Sequence, residues 1–511
     1  MSKKWFRVLF RRRVLVILLM LVQVFFLIYV LNSGSKVSTV INLTLTTISF
    51  LVTLHIISQK EKGSYKLIWV ILILLFPVFG GLFYLLCNFQ SSTKRFGTKI
   101  AQIEKKSKML WILPGDGFVE AAATLPQRLP QLQYLQQFSG FPIYTDTQAR
   151  YLTPGERKWE MLLKELEKAG EYIFLEYFIV QEGVMWNAIL EVLKRKASQG
   201  VLVRLMYDDI GCFFMLPKDY PEQMKKFGIE CVIFNPFRPL ATVVQNNRDH
   251  RKIAVIDGKV AFTGGINLAD EYINAYEKHG HWKDSAVMVQ GKAAWAFTLM
   301  FLQMWELVTG LDEDYTRYYP WGDTPCPEVQ DGFAQPYADS PMDKENVGEH
   351  VYLQIINNAK QYVYITTPYL IVDDSVISAL CLAAKSGVDV RIVTPHIWDK
   401  KAVHITTRSY YRELIAAGVR VYEYSKGFIH SKTFVSDDEM ATVGTTNLDF
   451  RSLYLHFECG VCLYRSAAVM EVKEDFLNTL NVCQEIELEE CNGGLLLRFA
   501  QNVLRLFAPL M

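Results

Sequence analysis

Two short stretches decide the fold: His250-Arg-Lys252-Ile-Ala-Val-Ile-Asp257 and His430-Ser-Lys432-Thr-Phe-Val-Ser-Asp437. A turn with small residues and an asparagine follows each of them, at Gly264-Gly265-Ile-Asn267 and at Gly444-Thr445-Thr-Asn447. The asparagine comes 17 residues after the histidine in both cases, from 250 to 267 and from 430 to 447. Two unrelated stretches would rarely agree at five positions, so this agreement indicates an internal duplication.

The duplication extends to the segments that precede the two stretches. Residues 177–182 and 200–204 in the first half match residues 369–374 and 387–391 in the second. Short β-rich runs alternate with helical stretches in both halves, which predicts an α/β fold with a mixed sheet flanked by helices. Two such halves predict two similar domains that pair about a pseudo-twofold axis.

Composition separates an apolar N-terminal segment from these two domains. Hydrophobic residues make up 50% of the chain, and the excess lies in the first ninety residues. The predicted parts are a membrane anchor at 1–90, a linker at 91–130, a first domain at 131–310 with its motif at 247–272, a connecting segment at 311–348, and a second domain at 349–511 with its motif at 428–453.

Three apolar runs in the N-terminal segment, residues 14–31, 37–58 and 67–87, predict transmembrane helices, because each has about the length that a bilayer requires. Basic residues flank the runs unevenly. The positive-inside rule places the N-terminus, the second loop and the segment after the third run in the cytoplasm. Three full spans would contradict this, so Pro77 and the Gly80-Gly81 pair lead us to expect a re-entrant third run and cytoplasmic catalytic domains.

The duplicated residues suit chemistry at a phosphodiester. Residues i and i+2 of a strand project from the same face, so each histidine projects together with its lysine. Two copies face to face place two histidines, two lysines and two asparagines around one point. One histidine can attack phosphorus and the other can protonate the leaving oxygen, while the lysines and asparagines stabilise the phosphate oxygens. A protonated lysine cannot coordinate a metal, so we expect neither a metal nor a cofactor.

A nucleophilic histidine also needs a carboxylate at Nδ1 to fix its tautomer. Two candidates, Asp284 and Glu458, follow the motif asparagines and lead into apolar runs. The sequence leaves open which acid serves which histidine. The motif aspartates, Asp257 and Asp437, come five residues after their lysines at predicted strand ends, where a structural role is the alternative.

The paired motifs resemble the HKD motifs of the phospholipase D superfamily, and the surrounding sequence resembles bacterial cardiolipin synthases over nearly the whole chain. The stretches that carry the second resemblance are residues 65–69, 76–81, 247–253, 264–272 and 447–453. The resemblance implies an active site made of His250, Lys252, Asp257, His430, Lys432 and Asp437, with substrate contacts from Asn267, Asn447, Gly265 and Thr445. The family often has Gly or Ser where this chain has Thr445, and we expect little effect from that change.

The function that the resemblance implies is phosphatidyl transfer between two phosphatidylglycerol molecules through a phosphohistidine, at a bacterial cell membrane. The alternatives are hydrolysis by water, transfer to another alcohol, nuclease activity, and an inactive membrane scaffold. A net charge of +1, from 54 basic and 53 acidic residues, disfavours a nucleic-acid partner. Two intact motifs argue against a scaffold. The acceptor alcohol, the identity of the nucleophile and the oligomeric state stay open.

Two features lie outside this scheme. Cys459 and Cys462 form a single C-x-x-C without a second pair, so a metal or redox role is disfavoured, and the unpaired cysteines of the chain suit a reducing compartment. Residues 495–511 place apolar side chains at helical spacing with two arginines between them. This pattern predicts either a helix packed on the core or an interfacial helix that lies on the membrane.

Overall fold

The computed structural model describes residues 21–22, 24–25, 28–29, 36–60, 62–76, 80–81, 84–85, 91–112, 117–237, 243–322, 326–329, 331–343 and 345–511. The chain forms two compact units. The first contains residues 1–96, 237–246 and 510, and the second contains residues 97–236, 247–509 and 511. Both sequence motifs therefore lie in the second unit.

Among the described residues of the first unit are the helices α1 (Lys36–Ser58) and α2 (Gly63–Leu75). They cover the predicted run 37–58 and the first part of the run 67–87. Most of the predicted run 14–31, and Pro77 in the third run, lie outside the described residues. Within the described ranges, no helix combines the length and the apolar composition that a membrane crossing requires.

The chain beyond α2 lies back against that helix. A Cβ atom at Gly80 would come within 2.7 Å of the Ile73 Cα atom. Seven residues of a straight helix rise by about 10 Å, so α2 does not continue as one straight helix to Gly80. The Tyr84 ring also packs on Trp69, with ring centroids 5.2 Å apart, and Tyr84 shares an apolar cluster with Ile56 and Ile73.

The second unit carries the strands. In chain order they are β1 (Thr147–Leu152), β2 (Tyr172–Tyr177), β3 (Leu202–Asp208), β4 (Ile229–Phe234), β5 (Arg248–Asp249), β6 (Lys252–Ile256), β7 (Val260–Gly264), β8 (His281–Lys283), β9 (Ala286–Gly291), β10 (Phe333–Asp339), β11 (Tyr362–Thr366), β12 (Leu370–Ile371), β13 (Asp389–Pro395), β14 (Arg420–Tyr424), β15 (Gly427–Ile429), β16 (Thr433–Ser436), β17 (Met440–Gly444), β18 (Leu448–Asp449), β19 (His456–Tyr464) and β20 (Cys483–Glu485).

The α-helices after α2 complete the framework. They are α3 (Ser91–Ser107), α4 (Phe118–Thr124), α5 (Leu129–Gln133), α6 (Gly155–Leu166), α7 (Val184–Ser198), α8 (Asp209–Cys212), α9 (Tyr220–Lys225), α10 (Ala294–Thr309), α11 (Val347–Asn358), α12 (Asp374–Lys385), α13 (Lys401–Ala416), α14 (Phe450–Tyr454), α15 (Ala467–Leu480) and α16 (Leu495–Leu506).

The strands form two large sheets that share the order of seven equivalent strands, and the second sheet adds β20 at one edge. The first has the order β1-β9-β7-β6-β2-β3-β4, and the second has the order β10-β19-β17-β16-β11-β13-β14-β20. Three consecutive strands are parallel in each sheet, β2-β3-β4 and β11-β13-β14, and the others are antiparallel. This confirms the prediction of an α/β fold with a mixed sheet in each half of the duplication.

Buried apolar strands and one long helix form the core of each half. All five residues of β6 are buried, as expected for a strand covered on both faces. α10 is apolar along most of its length and packs across β2, β6, β7 and β9, while α15 packs across β11, β14, β16 and β17. The two helices follow the equivalent strands β9 and β19, so the duplication extends to how each sheet is covered.

Two of the predicted boundaries differ from the structure. The predicted linker at 91–130 contains α3 and α4, and Lys106 on α3 forms an ion pair with Glu306 on α10 at 2.8 Å. The predicted connecting segment at 311–348 contains β10, which pairs with β19 at the edge of the second sheet. Pro336 in β10 hides the strand in the sequence, although an edge strand tolerates proline.

The motif aspartates occupy a different place from the one that the resemblance implied. Asp257 follows the far end of β6, and five strand residues separate it from Lys252 by about 16 Å. Its carboxylate accepts hydrogen bonds from three successive backbone N–H groups at residues 170–172, each at 2.8 Å. Asp437 accepts the same three bonds from residues 360–362 at 2.9–3.1 Å. Both aspartates thus fasten the start of a central strand, and both adopt a positive φ, 50° and 57°, which aspartate tolerates.

We expect Asp257→Asn and Asp437→Asn to destabilise the fold rather than to stop the chemistry. Each change replaces one acceptor oxygen by an NH₂ group that cannot accept from the facing backbone N–H groups, at a cost of about 0.5–1.5 kcal/mol for each hydrogen bond lost. Thermal unfolding of the full chain in detergent measures the loss, and Glu160→Gln on the exposed side of α6 is the matched control. If a variant kept its thermal stability but lost its activity, the aspartates would have a catalytic role rather than a structural one.

Candidate active site

Each motif histidine follows a short strand that pairs with the opposite half of the duplication. β5 pairs in parallel with the start of β19, and His250 N–H then donates to the Phe457 carbonyl at 3.0 Å. β15 pairs in parallel with β8, and His430 N–H donates to the Lys283 carbonyl at 2.7 Å. The same ladder thus occurs twice, with the roles of the two halves exchanged.

The next residue along each partner strand is one of the predicted acids. Glu458 Oε1 and Oε2 lie 2.8 and 3.1 Å from His250 Nδ1. Asp284 Oδ2 lies 2.7 Å from His430 Nδ1. Each histidine is therefore held by an acid of the other half, which answers the question that the sequence left open. An Nδ1–H that donates to a carboxylate leaves the lone pair on Nε2, the nitrogen that can react.

Two buried lysines stand beside the histidines. Lys252 and Lys432 are each 1% exposed, and each donates to the carbonyl of the histidine two residues earlier. Burial lowers the pKa of Lys252 to about 8, against the opposing effect of Glu458. It lowers the pKa of Lys432 to about 7, opposed by Asp284 and reinforced by Lys252. A bound phosphate would add negative charge beside both lysines and favour their protonated form.

Burial also decides the protonation of the histidines. It is the largest cause that lowers the pKa of His430 to about 4, with Lys432 next. Burial followed by Lys252 holds the pKa of His250 well below its usual value. Burial raises the pKa of Glu458 to about 7. Both imidazoles are therefore neutral in the free protein at neutral pH, as a nucleophile or a base requires.

Gly265 and Thr445 occupy equivalent positions in the two halves, but their contacts with the two acids differ. A Cβ atom at Gly265 would lie 2.1 Å from the Asp284 carboxylate, so only glycine leaves room for that acid. Thr445 Oγ1 donates to the Glu458 carboxylate and accepts from Cys459 N–H at 3.0 Å. We expected little effect from Thr445, but its hydroxyl makes a contact that glycine could not supply.

The motif asparagines tie their turns to neighbouring segments. Asn267 Oδ1 accepts from Ile179 N–H at 3.0 Å, and its Nδ2 donates to the Tyr272 hydroxyl at 2.7 Å. Asn447 Nδ2 donates to Asp449 at 2.9 Å. An amide NH₂ has two hydrogens, and the structure shows a partner for one of them on each asparagine.

A ring two residues before each acid packs on the histidine, and the sequence reasoning missed both rings. The His456 ring centroid lies 5.4 Å from that of His250, and the Trp282 centroid lies 5.3 Å from that of His430. Both ring nitrogens of His456 are buried without a hydrogen-bond partner among the described residues. Their spacing could have identified them. Each ring precedes its acid by two positions, and residues two positions apart in a strand lie on the same face.

One group of described residues has the donor atoms for a metal ion. His250, His456 and Glu458 bring a ligand atom each within 4.8 Å of one another. The ammonium groups of Lys252 and Lys432 act on the same histidine and would repel a cation there. The thiols of Cys459 and Cys462 are buried in β19, and burial raises the pKa of each to about 12, so neither is a ready thiolate ligand.

Comparisons with known proteins agree with this geometry. A family model described as "Cardiolipin synthase, PLD-like domain" matches residues 162–305 and 352–480, and a model described as "Phospholipase D-nuclease N-terminal" matches residues 47–87. A cardiolipin synthase of Geobacillus kaustophilus is 35% identical over 90% of this chain and 91% of its own length. One of Geobacillus sp. (strain WCH70) is 34% identical over 93% of each chain.

Two further matches complete the comparison. An uncharacterized protein of Streptococcus mutans serotype c is 42% identical over 85% of this chain and 93% of its own length. The crystal structure of phosphatidylserine synthase from Haemophilus influenzae Rd KW20 shares the fold, with a TM-score of 0.53 at 14% identity over 72% of this chain and 94% of that one. The repeated sheets, the crossed histidine–acid pairs and these matches together place the chain in the family of cardiolipin synthases with phospholipase D-like domains.

Proposed function

We propose that the protein is a cardiolipin synthase that transfers a phosphatidyl group from one phosphatidylglycerol to another and releases glycerol. The observation that carries this proposal is the crossed pair of histidines, each held at Nδ1 by a buried carboxylate of the other half, with two buried lysines between them. The relatives named cardiolipin synthase match over nearly the whole chain, which supports the same substrate class.

In the first step, Nε2 of one histidine attacks phosphorus, and the bond from phosphorus to the glycerol oxygen breaks. The other histidine, in its protonated form, gives its proton to that oxygen. Negative charge grows on the non-bridging oxygens, where Lys252, Lys432 and the N–H groups of the asparagines stabilise it. The product of this step is a phosphatidyl-histidine and free glycerol.

In the second step, the same acid–base histidine, now neutral, takes the proton from a hydroxyl group of the second phosphatidylglycerol. That oxygen attacks phosphorus and the phosphorus–nitrogen bond breaks, which gives cardiolipin and restores both histidines. The carboxylate partners, Glu458 and Asp284, stabilise the imidazolium that forms in each step. The motif asparagines and lysines hold the phosphate throughout.

Because the pKa values of the histidines are low in the free protein, substrate binding can change the protonation of the acid–base histidine. The histidine that acts as the acid is neutral in the free protein, because burial and the lysines disfavour its charged form. A phosphate anion in the site offsets the lysine charges and raises the pKa of the nearby histidine. Binding of the phosphodiester therefore favours uptake of a proton from solvent by the acid–base histidine, and that proton then goes to the leaving glycerol oxygen.

Hydrolysis by a phospholipase D would use the same residues with water as the acceptor. The two histidines are each only 7% exposed, which limits the access of bulk water to the phosphohistidine. A second lipid that fills the site would exclude water further. Transfer is favoured over hydrolysis to the extent that the second lipid fills the site and displaces water.

We propose that residues 1–90 anchor the protein in the bacterial cell membrane, with two spans, a re-entrant third run and cytoplasmic catalytic domains. The close approach of Gly80 to Ile73 supports a third run that turns back on itself. The packing of Tyr84 on Trp69 supports the same turn. A lipid substrate agrees with an anchored enzyme, because both reactants lie in the bilayer.

We expect His250→Asn and His430→Asn each to lower cardiolipin formation by about 10²–10⁴-fold, since one removes the nucleophile and the other the acid–base group. Thin-layer chromatography of products from phosphatidylglycerol labelled in the phosphate measures this, with His350→Asn outside the site as the control. The variant that keeps the nucleophile should accumulate an acid-labile labelled protein. Substantial product from either variant would refute the two-histidine mechanism.

We expect kcat/KM for phosphatidylglycerol to fall as the pH rises through 7 to 8, the pKa values of Lys432 and Lys252 in the free protein. The lysines are charged below their pKa and lose that charge above it, so phosphate binding weakens toward alkaline pH, and kcat/KM reports the free enzyme. Steady-state kinetics from about pH 6 to 9, with thermal stability measured in parallel, provide the test. A flat profile at constant stability would exclude the lysines from phosphate binding.

We expect Thr445→Val to lower kcat by about tenfold, because the Glu458 carboxylate would lose a hydrogen bond worth about 1.4 kcal/mol. Thr445→Ser keeps the hydroxyl and should retain activity within about twofold. Both variants are compared in the chromatographic assay after their unfolding temperatures have been matched. Equal loss in the two variants would indicate that the methyl group, rather than the hydroxyl, is what matters.

A further inference from the structure

The C-terminal helix α16 turns its apolar face outward. Leu495, Leu496 and Phe499 are 89%, 82% and 66% exposed, and Val503 and Phe507 continue the same face at 38% and 42%. Positions separated by three or four residues lie on one side of a helix, so these side chains form one apolar surface. No residue of α16 is buried, which does not fit a helix that is docked on the core through its apolar face.

The side of α16 that contacts the protein carries Arg505 and the half-buried Leu504. α16 packs on α13, where Arg505 forms an ion pair with Glu413 at 3.0 Å. The Arg505 guanidinium also lies 4.2 Å from the centroid of the Tyr410 ring. An amphipathic helix of a soluble domain normally buries its apolar stripe and exposes its polar one. The orientation of α16 is the reverse.

We infer that α16 is an interfacial helix whose apolar face, Leu495, Leu496, Phe499, Val503 and Phe507, inserts into the surface of an anionic bilayer. The inference rests on the proposed function, which places both substrates in such a bilayer. The segment from Leu495 to Phe507 contains no acidic residue, and Arg498 supplies a positive charge beside the apolar face, whereas the charge of Arg505 is paired with Glu413. This charge favours anionic headgroups, and the apolar side chains match the depth at which interfacial helices lie.

α13 connects this surface to the active site. The charge of Lys400, just before α13, is one of the causes that lower the pKa of His250. Further along α13, Thr407 Oγ1 accepts from Leu370 N–H in β12, which pairs with β18 directly after Asn447. A bilayer contact through α16 therefore sets the distance between the lipid surface and the site through one continuous helix.

The test is a double variant, Leu496→Gln/Phe499→Gln, which changes no charge, with Asn502→Gln as the matched control at an exposed polar position of the same helix. The full chain is placed in nanodiscs of neutral lipid or of lipid that contains phosphatidylglycerol. Backbone amide hydrogen exchange of residues 495–507 is then measured. We expect wild type and Asn502→Gln to be protected at least about tenfold more in the anionic discs, and the double variant to show no such difference.

Activity provides the second readout. For phosphatidylglycerol embedded in vesicles, the double variant should have an interfacial KM about tenfold above wild type. For a short-chain phosphatidylglycerol kept monomeric in solution, its activity should stay within about twofold of wild type. A wild type with lipid-dependent protection but no cardiolipin product would overturn the proposed function and leave the inference standing.

Three results would overturn the inference itself. The first is exchange at residues 495–507 that does not respond to lipid in wild type. The second is equal loss of the double variant on vesicle and monomeric substrates, which would indicate a structural role. The third is a smaller particle mass of the double variant in detergent, which would assign the apolar face to contacts between copies of the chain.

Discussion

The hydrogen bond from each imidazole Nδ1 to a carboxylate of the opposite half is the constraint on which the site depends. The backbone sets it, because the strand before each histidine pairs with the strand that carries the acid, and the acid comes next in register. Buried carboxylates and lysines are costly unless each has a partner of opposite charge close by. Each half supplies a partner that the other half needs. The active site therefore forms only when the two halves pack against each other.

Much of this arrangement could be predicted from the sequence, because its signals are local. The repeated motif and the mixed sheets follow from spacing and periodicity. The expected strand position of the histidines was wrong, because His250 and His430 lie between two strands rather than in one. The pairing of His250 with Glu458 could not be predicted, since it depends on contact between strands 208 residues apart. The structural position of Asp257 and Asp437 became clear only from the three N–H groups that each of them binds. β10 could not be predicted, because Pro336 and polar neighbours interrupt the alternation of apolar residues that indicates a strand.

The duplication has also diverged inside the site. On one side a long acid, Glu458, receives the Thr445 hydroxyl, and the ring of His456 covers the histidine. On the other side a shorter acid, Asp284, fits above Gly265, and Trp282 covers the histidine. Glu458 has a raised pKa, and its neighbour His456 is titratable where Trp282 is not. Two chemically different surroundings are what a reaction with one nucleophile and one acid–base group calls for.

The crossed pairing also has a consequence for biosynthesis. A ribosome that has completed His250 must add 208 more residues before Glu458 exists. At about 5–20 residues per second this takes roughly 10–40 s. During that time His250 lacks the carboxylate that fixes its tautomer, and Asp284 likewise waits for 146 more residues before His430 exists. The nascent first half therefore holds an unreactive histidine, and the enzyme gains its reactivity only when translation is nearly complete.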